Sequence, residues 1–181
     1  MNTSTAPRRR NRTLTAAAFV AALASAGIGL GAPPAAAADP VSVGYTCNGP
    51  GAPEGVQSLQ VTMAAPATVP QGGTADLALE VTTQLRVPIS VPANSVSGEM
   101  EIAIGGAGSG SVTATGFTNA DRIPSGSTVT LTGGTASARL DDAGSTTFSP
   151  GNAAVHVFGV TVNCTVSGTA PVAATTDVTA G

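Results

Sequence analysis

The sequence has no tryptophan and no lysine, and it has one histidine, one tyrosine and two cysteines. A nucleophile–histidine–acid triad would have to use that single histidine, His156. The two cysteines form no Cys-x-x-Cys motif and have no neighbouring histidines, so they do not match a zinc or redox motif. Without tryptophan, paired carboxylates also lack the aromatic platform that usually accompanies a site for cleaving glycosides.

The first 38 residues have the pattern of a secretory signal peptide. Four arginines between positions 8 and 12 form a basic region, and an Ala-rich apolar region follows from Leu14 to Leu30. The run of alanines that ends at Ala38 supplies the small residues that signal peptidase requires, so we expect cleavage between Ala38 and Asp39. The apolar region contains glycines and is followed by prolines, which disfavours an uncleaved anchor and a stable membrane span.

Cleavage at this position would make the chain strongly acidic. The whole sequence has a net charge of −3, whereas residues 39–181 keep three arginines (Arg86, Arg122 and Arg139) against all ten carboxylates, a net charge of −7. Phosphate backbones and anionic membrane surfaces repel such a chain. We therefore expect no nucleic-acid partner.

Apolar and polar residues alternate along most of the sequence after the leader. In "TADLALEVTT" (74–83), Ala75, Leu77, Leu79 and Val81 form one face and the polar residues form the other. Such alternation is typical of half-buried antiparallel strands, and no segment shows helical spacing. The same pattern predicts strands at 41–47, 58–63, Met100–Ile104, Val112–Thr118, Thr128–Thr132, Thr135–Leu140 and Val155–Val166.

The predicted strands are separated by short segments rich in Gly, Pro, Ser and Asp. We expect turns at Gly133–Gly134 and Ser149–Asn152, and a bulge at Gly159. Two prolines make "RVPISVP" (86–92) an edge strand or an extended link. This organisation predicts one all-β domain at 39–168, a single antiparallel β-sandwich, followed by a loosely ordered C-terminal tail at 169–181.

Cys47 and Cys164 lie in the first and last predicted strands, both on the apolar face. In an oxidising compartment, an even number of cysteines indicates a disulfide, and two cysteines allow one intramolecular connectivity. Since the bond needs Cα atoms within about 7 Å, we predict that the two strands lie side by side or face one another.

Few other residues suggest chemistry. His156 lies in the middle of a strand with the parity of the solvent face, which does not favour catalysis. Glu99 with Glu101, and Asp76 with Glu80, are interpreted as solvated strand faces that block association between sheet edges. Asp141 and Asp142 lie in a turn and are weak candidates for calcium, because the spaced oxygen ligands of a known loop are missing. The sequence therefore predicts no catalytic residue, no cofactor and no metal.

Three features together resemble secreted actinobacterial proteins of unknown function. They are the Tyr45-x-Cys47 start, the segment matching Pro66–Gly73 after an Ala-rich leader, and a late cysteine near the C-terminus. The stretch "AAPATVPQGGTADLALEV" (64–81) also resembles the opening of many bacterial immunoglobulin-like domains. The resemblance implies export and an immunoglobulin-like β-fold, with no activity attached.

These observations favour an exported, non-enzymatic β-sandwich with a structural or binding role at the cell surface or envelope. Its partner would be an envelope component or another protein. One alternative is a carrier that holds a small apolar ligand or lipid in a cavity between the sheets. A third is a secreted hydrolase, or a protease inhibitor that uses an exposed loop such as 86–92.

Overall fold

The computed structural model describes Ala36, Ala37 and residues 39–181. Within this part, the chain is all-β with no helix, and it belongs to one compact unit. Of the predicted signal peptide, only Ala36 and Ala37 are among the described residues. Ala38 of the predicted cleavage site lies outside them, and Asp39 is described and exposed. No helix in the described part of the chain has the length and apolar character needed to cross a membrane.

Eleven strands, all joined by hydrogen bonds into a single sheet, make up most of the described residues. They are β1 (Ala36–Ala37), β2 (Val41–Asn48), β3 (Val56–Ala65), β4 (Thr68–Pro70), β5 (Gly73–Arg86), β6 (Val96–Gly106), β7 (Gly110–Thr118), β8 (Thr128–Leu140), β9 (Gly144–Val157), β10 (Val160–Val166) and β11 (Ala174–Thr179).

The sheet closes on itself because β10 pairs with two strands, β2 on one edge and β9 on the other. The order around the resulting ring is β10, β2, β3, β5, β8, β7, β6, β9 and again β10. All neighbours in the ring are antiparallel, so successive connections alternate between its two ends. We call these the loop end (connections 49–55, 87–95, 119–127 and 158–159) and the base (connections 66–72, 107–109 and 141–143).

The apolar side chains of each strand fill the interior of the ring. On β5 the buried residues are Ala75, Leu77, Leu79 and Val81, as the alternation predicts. Tyr45 and Phe148 are among the largest fully buried side chains. The sequence pattern therefore identified the strand faces correctly, because the period of two assigns one face to the interior.

The predicted disulfide is confirmed. Cys47 and Cys164 are bonded to each other, with their Cα atoms 4.0 Å apart. They lie directly opposite one another in β2 and β10, which are neighbours in the ring. The crosslink therefore fixes the place where the sheet closes.

Two expected turns lie inside long strands instead. Gly133–Gly134 belongs to β8, where a Cβ on Gly134 would overlap the ring of Phe117. The glycine thus makes room for an aromatic side chain to cross the strand. Ser149–Asn152 belongs to β9, which runs through it with an irregular register opposite Met100 and Ile102 of β6.

The expected bulge at Gly159 is also wrong, because the chain reverses there. Phe158 and Gly159 have φ values of 49° and 80° and form the two-residue turn between β9 and β10. Two successive positive φ angles match the right-handed twist of a tight hairpin. The predicted strand Val155–Val166 is therefore two antiparallel strands.

The segment 169–181 is not a loosely ordered tail. Residues 174–179 form β11, which pairs antiparallel with β9 and parallel with β4. Its residues Ala174, Thr176 and Val178 are buried, and Thr176 Oγ1 donates to Pro66 O at 2.8 Å. The small side chains gave only a weak apolar pattern, but β10 does not cover the lower half of β9, and β11 packs there. The folded unit thus extends past position 168.

Candidate binding site at the loop end

Exposed apolar side chains gather at the loop end. Five large hydrophobic residues are exposed within residues 39–181, and four of them, Val56, Leu85, Ile89 and Phe158, lie at or next to the loop-end connections. The fifth, Val172, lies between β10 and β11. Scattered exposed hydrophobics are ordinary, but their concentration at one end is typical of an interaction surface.

The two longest loop-end connections, 87–95 and 119–127, are joined by backbone hydrogen bonds. Val91 and Ile123 exchange two N–H···O bonds of 2.9 Å. The Val87 N–H donates to Ser127 O at 3.0 Å, and the Gly126 N–H donates to Val87 O at 2.8 Å. The segment 86–92 is therefore attached to the facing loop at Val87 and Val91, and it bends at Pro88 and Ile89 between these attachments.

Asn119 holds the two loops together from the inside. Its side chain is 2% exposed, and its Oδ1 accepts hydrogen bonds from the N–H groups of Ser95 (3.0 Å) and Val96 (2.8 Å). Its Nδ2 donates to Pro92 O at 2.7 Å and to Asp121 O at 3.0 Å. Both donors and both acceptor positions of the amide are used, so this burial carries no unpaired polar group.

Sequence reasoning missed Asn119. The residue stands in "TNAD" (118–121), which has the composition of an ordinary turn. Its role depends on the segment 92–96, more than twenty residues earlier, which the topology brings beside it. A signal in the local sequence could not have found it.

Side chains add two more bonds between the loops. Arg86 Nη1 donates to Gly126 O at 2.7 Å, and Ser125 Oγ donates to Pro88 O at 2.8 Å. Ile89 lies between the Val87 and Val91 attachments and is 60% exposed. The loop pair therefore presents an apolar side chain from a backbone that is fixed on both sides of it.

A shallow hollow of about 230 Å³ adjoins the loop pair. It lies between the connection 119–124 and the side of β8 that carries Thr128, Thr130 and Thr132. Hydroxyl groups on this wall can donate or accept hydrogen bonds. The loop end thus combines protruding apolar groups with a polar recess.

His156 lies close to this end, on β9 just before the hairpin. It is half-buried, the neighbouring Val155 and Val157 pack against the core, and its Nδ1 is 2.9 Å from Thr161 Oγ1 across the hairpin. Among the described residues, no three His, Cys, Asp or Glu side chains come close enough to hold a metal ion. The structure gives His156 a hydroxyl partner in Thr161.

The other predicted carboxylate groups lie away from the loop pair. Asp141 accepts a 2.8 Å bond from the exposed side chain of Arg139 at the base, and no third His, Cys, Asp or Glu of the described chain joins Asp141 and Asp142. Glu99 and Glu101 line an open groove on β6 with Thr113 of β7. The weak calcium candidates therefore receive no support from the geometry of the described residues.

A small apolar cavity lies between the strands of the ring. The apolar cavity bounded by Leu59, Val81, Phe117 and Leu131 measures about 30 Å³. That volume holds about one water molecule, whereas pockets for drug-sized ligands measure roughly 300–1,000 Å³. The carrier alternative therefore gains no support from this cavity.

Compared with known proteins, the chain matches no family model, no curated protein and no solved structure. The resemblance to secreted actinobacterial proteins remains a prediction. The geometry of the chain itself is the basis for the functional conclusion.

Proposed function

We propose that the protein is an exported, non-enzymatic β-sandwich of the immunoglobulin-like kind, which binds an envelope component or another protein at the cell surface through its loop end. The observation that carries this proposal is the gathering of Val56, Leu85, Ile89 and Phe158 at one end of the ring. Burying one such side chain against a partner contributes about 1.5–3 kcal/mol.

The fixed loops support this role. Ordering a mobile loop on binding costs affinity, and a loop that is already held in place avoids that cost. The Asn119 network and the bonds between the two loops supply such order before any partner arrives. Immunoglobulin-like sandwiches likewise cluster their binding loops at one end.

The envelope role is tested with washed envelopes of the host cell as the probe. We expect the protein to sediment with them, and the double variant Ile89→Ser/Phe158→Ser to bind at least tenfold more weakly. Val172→Ser is the matched control, because it removes an exposed hydrophobic residue of similar size away from the loop end. Equal binding by the double variant and the wild type would contradict the proposal.

A second candidate is a protease inhibitor, which the constraint on the segment 86–92 favours. Inhibitory loops present an exposed residue from a backbone that is fixed on both sides, and Ile89 has this arrangement. Titration against a panel of serine proteases, followed by mapping of any cleaved bond, tests this function. Inhibition that Ile89→Gly abolishes and Phe158→Ser preserves would support it, and absence of inhibition across the panel would reject it.

A further inference from the structure

The hollow beside the loop pair is a gap in the hairpin of β7 and β8. The two strands pair as far as Thr118 and Thr132, but β8 begins earlier, at Thr128. Among the described strands, β5 alone pairs with this first part of β8. The connection 119–124 forms the facing wall of the hollow. Backbone N–H and C=O groups on that side of β8 are therefore available to a ligand.

Hydroxyl groups line the β8 wall of the hollow. Thr128, Thr130 and Thr132 alternate along the strand, so their side chains point to the same outer face. Thr130 Oγ1 lies 3.1 Å from Thr82 Oγ1 on β5, and this hydrogen bond orients its hydroxyl beside the hollow. Ser127 adds another hydroxyl at the end of the row. Because each hydroxyl donates one hydrogen bond and accepts two, the wall offers both kinds of partner.

The residues that line the hollow carry no net charge. Asp121 and Arg122 are the two charged residues among them in the described part of the chain, and both are exposed. The carboxylate accepts hydrogen bonds and the guanidinium donates them. A neutral ligand that carries both donors and acceptors therefore matches the hollow better than an anion or a cation does.

The backbone around the hollow is fixed at both ends of the connection 119–124. The buried Asn119 holds one end through its hydrogen bonds to the facing loop and to Asp121 O. Ile123 is 7% exposed and exchanges two backbone bonds with Val91 at the other end. Binding does not have to order this wall, which lowers its entropic cost.

We propose that the hollow binds one sugar unit of a neutral saccharide, and that this saccharide is the envelope component recognised by the loop end. The inference rests on the proposed function, because it names the partner of the same surface. Sugar hydroxyls donate and accept hydrogen bonds as the threonine wall does. The hollow measures about 230 Å³, less than the roughly 300–1,000 Å³ of pockets for drug-sized ligands, so it holds a single ring of a longer chain.

Isothermal titration calorimetry on the protein purified from its host tests this site. The probes are four neutral tetrasaccharides, built from glucose, mannose, galactose or N-acetylglucosamine. We expect at least one of them to bind, and Thr130→Val/Thr132→Val to bind it about tenfold more weakly, because two hydroxyls are lost while the side chains keep their shape. Thr113→Val/Thr115→Val is the matched control, since it makes the same change at the same spacing on the exposed face of β7. Its affinity should equal that of the wild type.

Arg122→Gln supplies a second variant in case the loss of the Thr82–Thr130 bond disturbs the fold. Arg122 is exposed at the rim of the hollow, so its replacement has little effect on folding. We expect it to weaken binding of the same tetrasaccharide, because a charged donor is removed. Binding by none of the four probes would overturn the proposal. An affinity that neither Arg122→Gln nor the Thr130/Thr132 variant lowers would overturn it equally.

Sedimentation with host envelopes separates this inference from the proposed function. If Ile89→Ser/Phe158→Ser loses envelope binding and Thr130→Val/Thr132→Val retains it, the saccharide site fails and the proposed function stands. If the threonines are required for tetrasaccharide binding but the wild type does not sediment with envelopes, the saccharide site stands and the envelope role fails.

Discussion

The loop end and the base of the ring share their long strands, yet different pairings hold them together. Near the loop end, β2 and β10 are paired and crosslinked by the Cys47–Cys164 disulfide. At the base, β11 pairs with β9 and β4 instead, and a groove of about 440 Å³ lies between the end of β3 and β11. The crosslink and the ordered loops thus hold the loop end, whereas the short strands β4 and β11 hold the base through their pairing with each other and with β9.

Charge separates the two ends as well. The base and the strand ends next to it carry Asp39, Asp76, Asp141, Asp142 and Asp177, against Arg139 alone. The loop end and the strand ends next to it carry Glu54, Glu99 and Asp121 against Arg86 and Arg122, a net charge of −1. An apolar surface with little net charge suits protein association, and an acidic base keeps copies of the chain apart.

The largest expected effect on stability comes from removing the disulfide near the loop end. Replacing Cys47 and Cys164 together by alanine should lower the free energy of unfolding by about 4–5 kcal/mol, because the unfolded chain regains the freedom of a long loop. Urea denaturation with and without reductant measures this change. A loss below about 1 kcal/mol would show that pairing alone closes the ring.

The next effect concerns the order of the loop end. Asn119→Ala removes four hydrogen bonds and leaves buried backbone groups without partners, so we expect a loss of about 3 kcal/mol. Hydrogen exchange should rise in 87–95 and 119–127 and stay unchanged at the base. Asn152→Ala, which removes one exposed bond to the Val166 N–H, is the control and should cost well below about 1 kcal/mol.

A third prediction uses alkaline pH. Tyr45 is fully buried and donates to Gly151 O at 2.8 Å, and burial raises the pKa of its hydroxyl far above the ordinary 10.0. The pKa of this hydroxyl is therefore higher in the folded protein than in the unfolded chain. The contribution of the buried, protonated phenol to the free energy of unfolding is complete below pH 10. Above pH 10 it falls by about 1.4 kcal/mol per pH unit, as the unfolded chain loses the proton first.

The chain offers a clean measurement of this effect. It has no lysine, its cysteines are bonded and Tyr45 is its single tyrosine, so the phenol absorbance and the loss of stability above pH 10 report one group. Tyr45→Phe should remove the decline with pH. A decline of equal slope in that variant would place its origin elsewhere.

The smallest effect is expected at the base. The Arg139–Asp141 ion pair measures 2.8 Å, but both side chains are about two-thirds exposed, with 68% and 64% of their surface accessible. Arg139→Gln should therefore change the free energy of unfolding by less than about 0.5 kcal/mol. A thermal denaturation series at low and high salt checks this, and a loss above about 1 kcal/mol would show that the base is stabilised by charge.

The amino-acid pattern determined the strand faces and the disulfide. A period of two places alternate residues such as Leu77 and Leu79 on one face whatever their neighbours are, and an even cysteine count leaves one pairing. The amino-acid pattern gave a wrong prediction at Gly133–Gly134. A pair of glycines is compatible with a turn, but it is equally compatible with a strand position where the ring of Phe117 crosses. The pattern also missed the strand at 174–179. These small residues become buried because they pair with the part of β9 that β10 does not reach.

The sequence by itself thus determined an all-β chain with two cysteines able to join its first and late strands. The tertiary structure alone decided that the ring closes through β10. It also brought the segment 92–96 to Asn119 and placed Ile89 and Phe158 at the same end. The physical reason is distance along the chain. Local alternation fixes which way a side chain faces, whereas strand order and register decide which distant residues become neighbours.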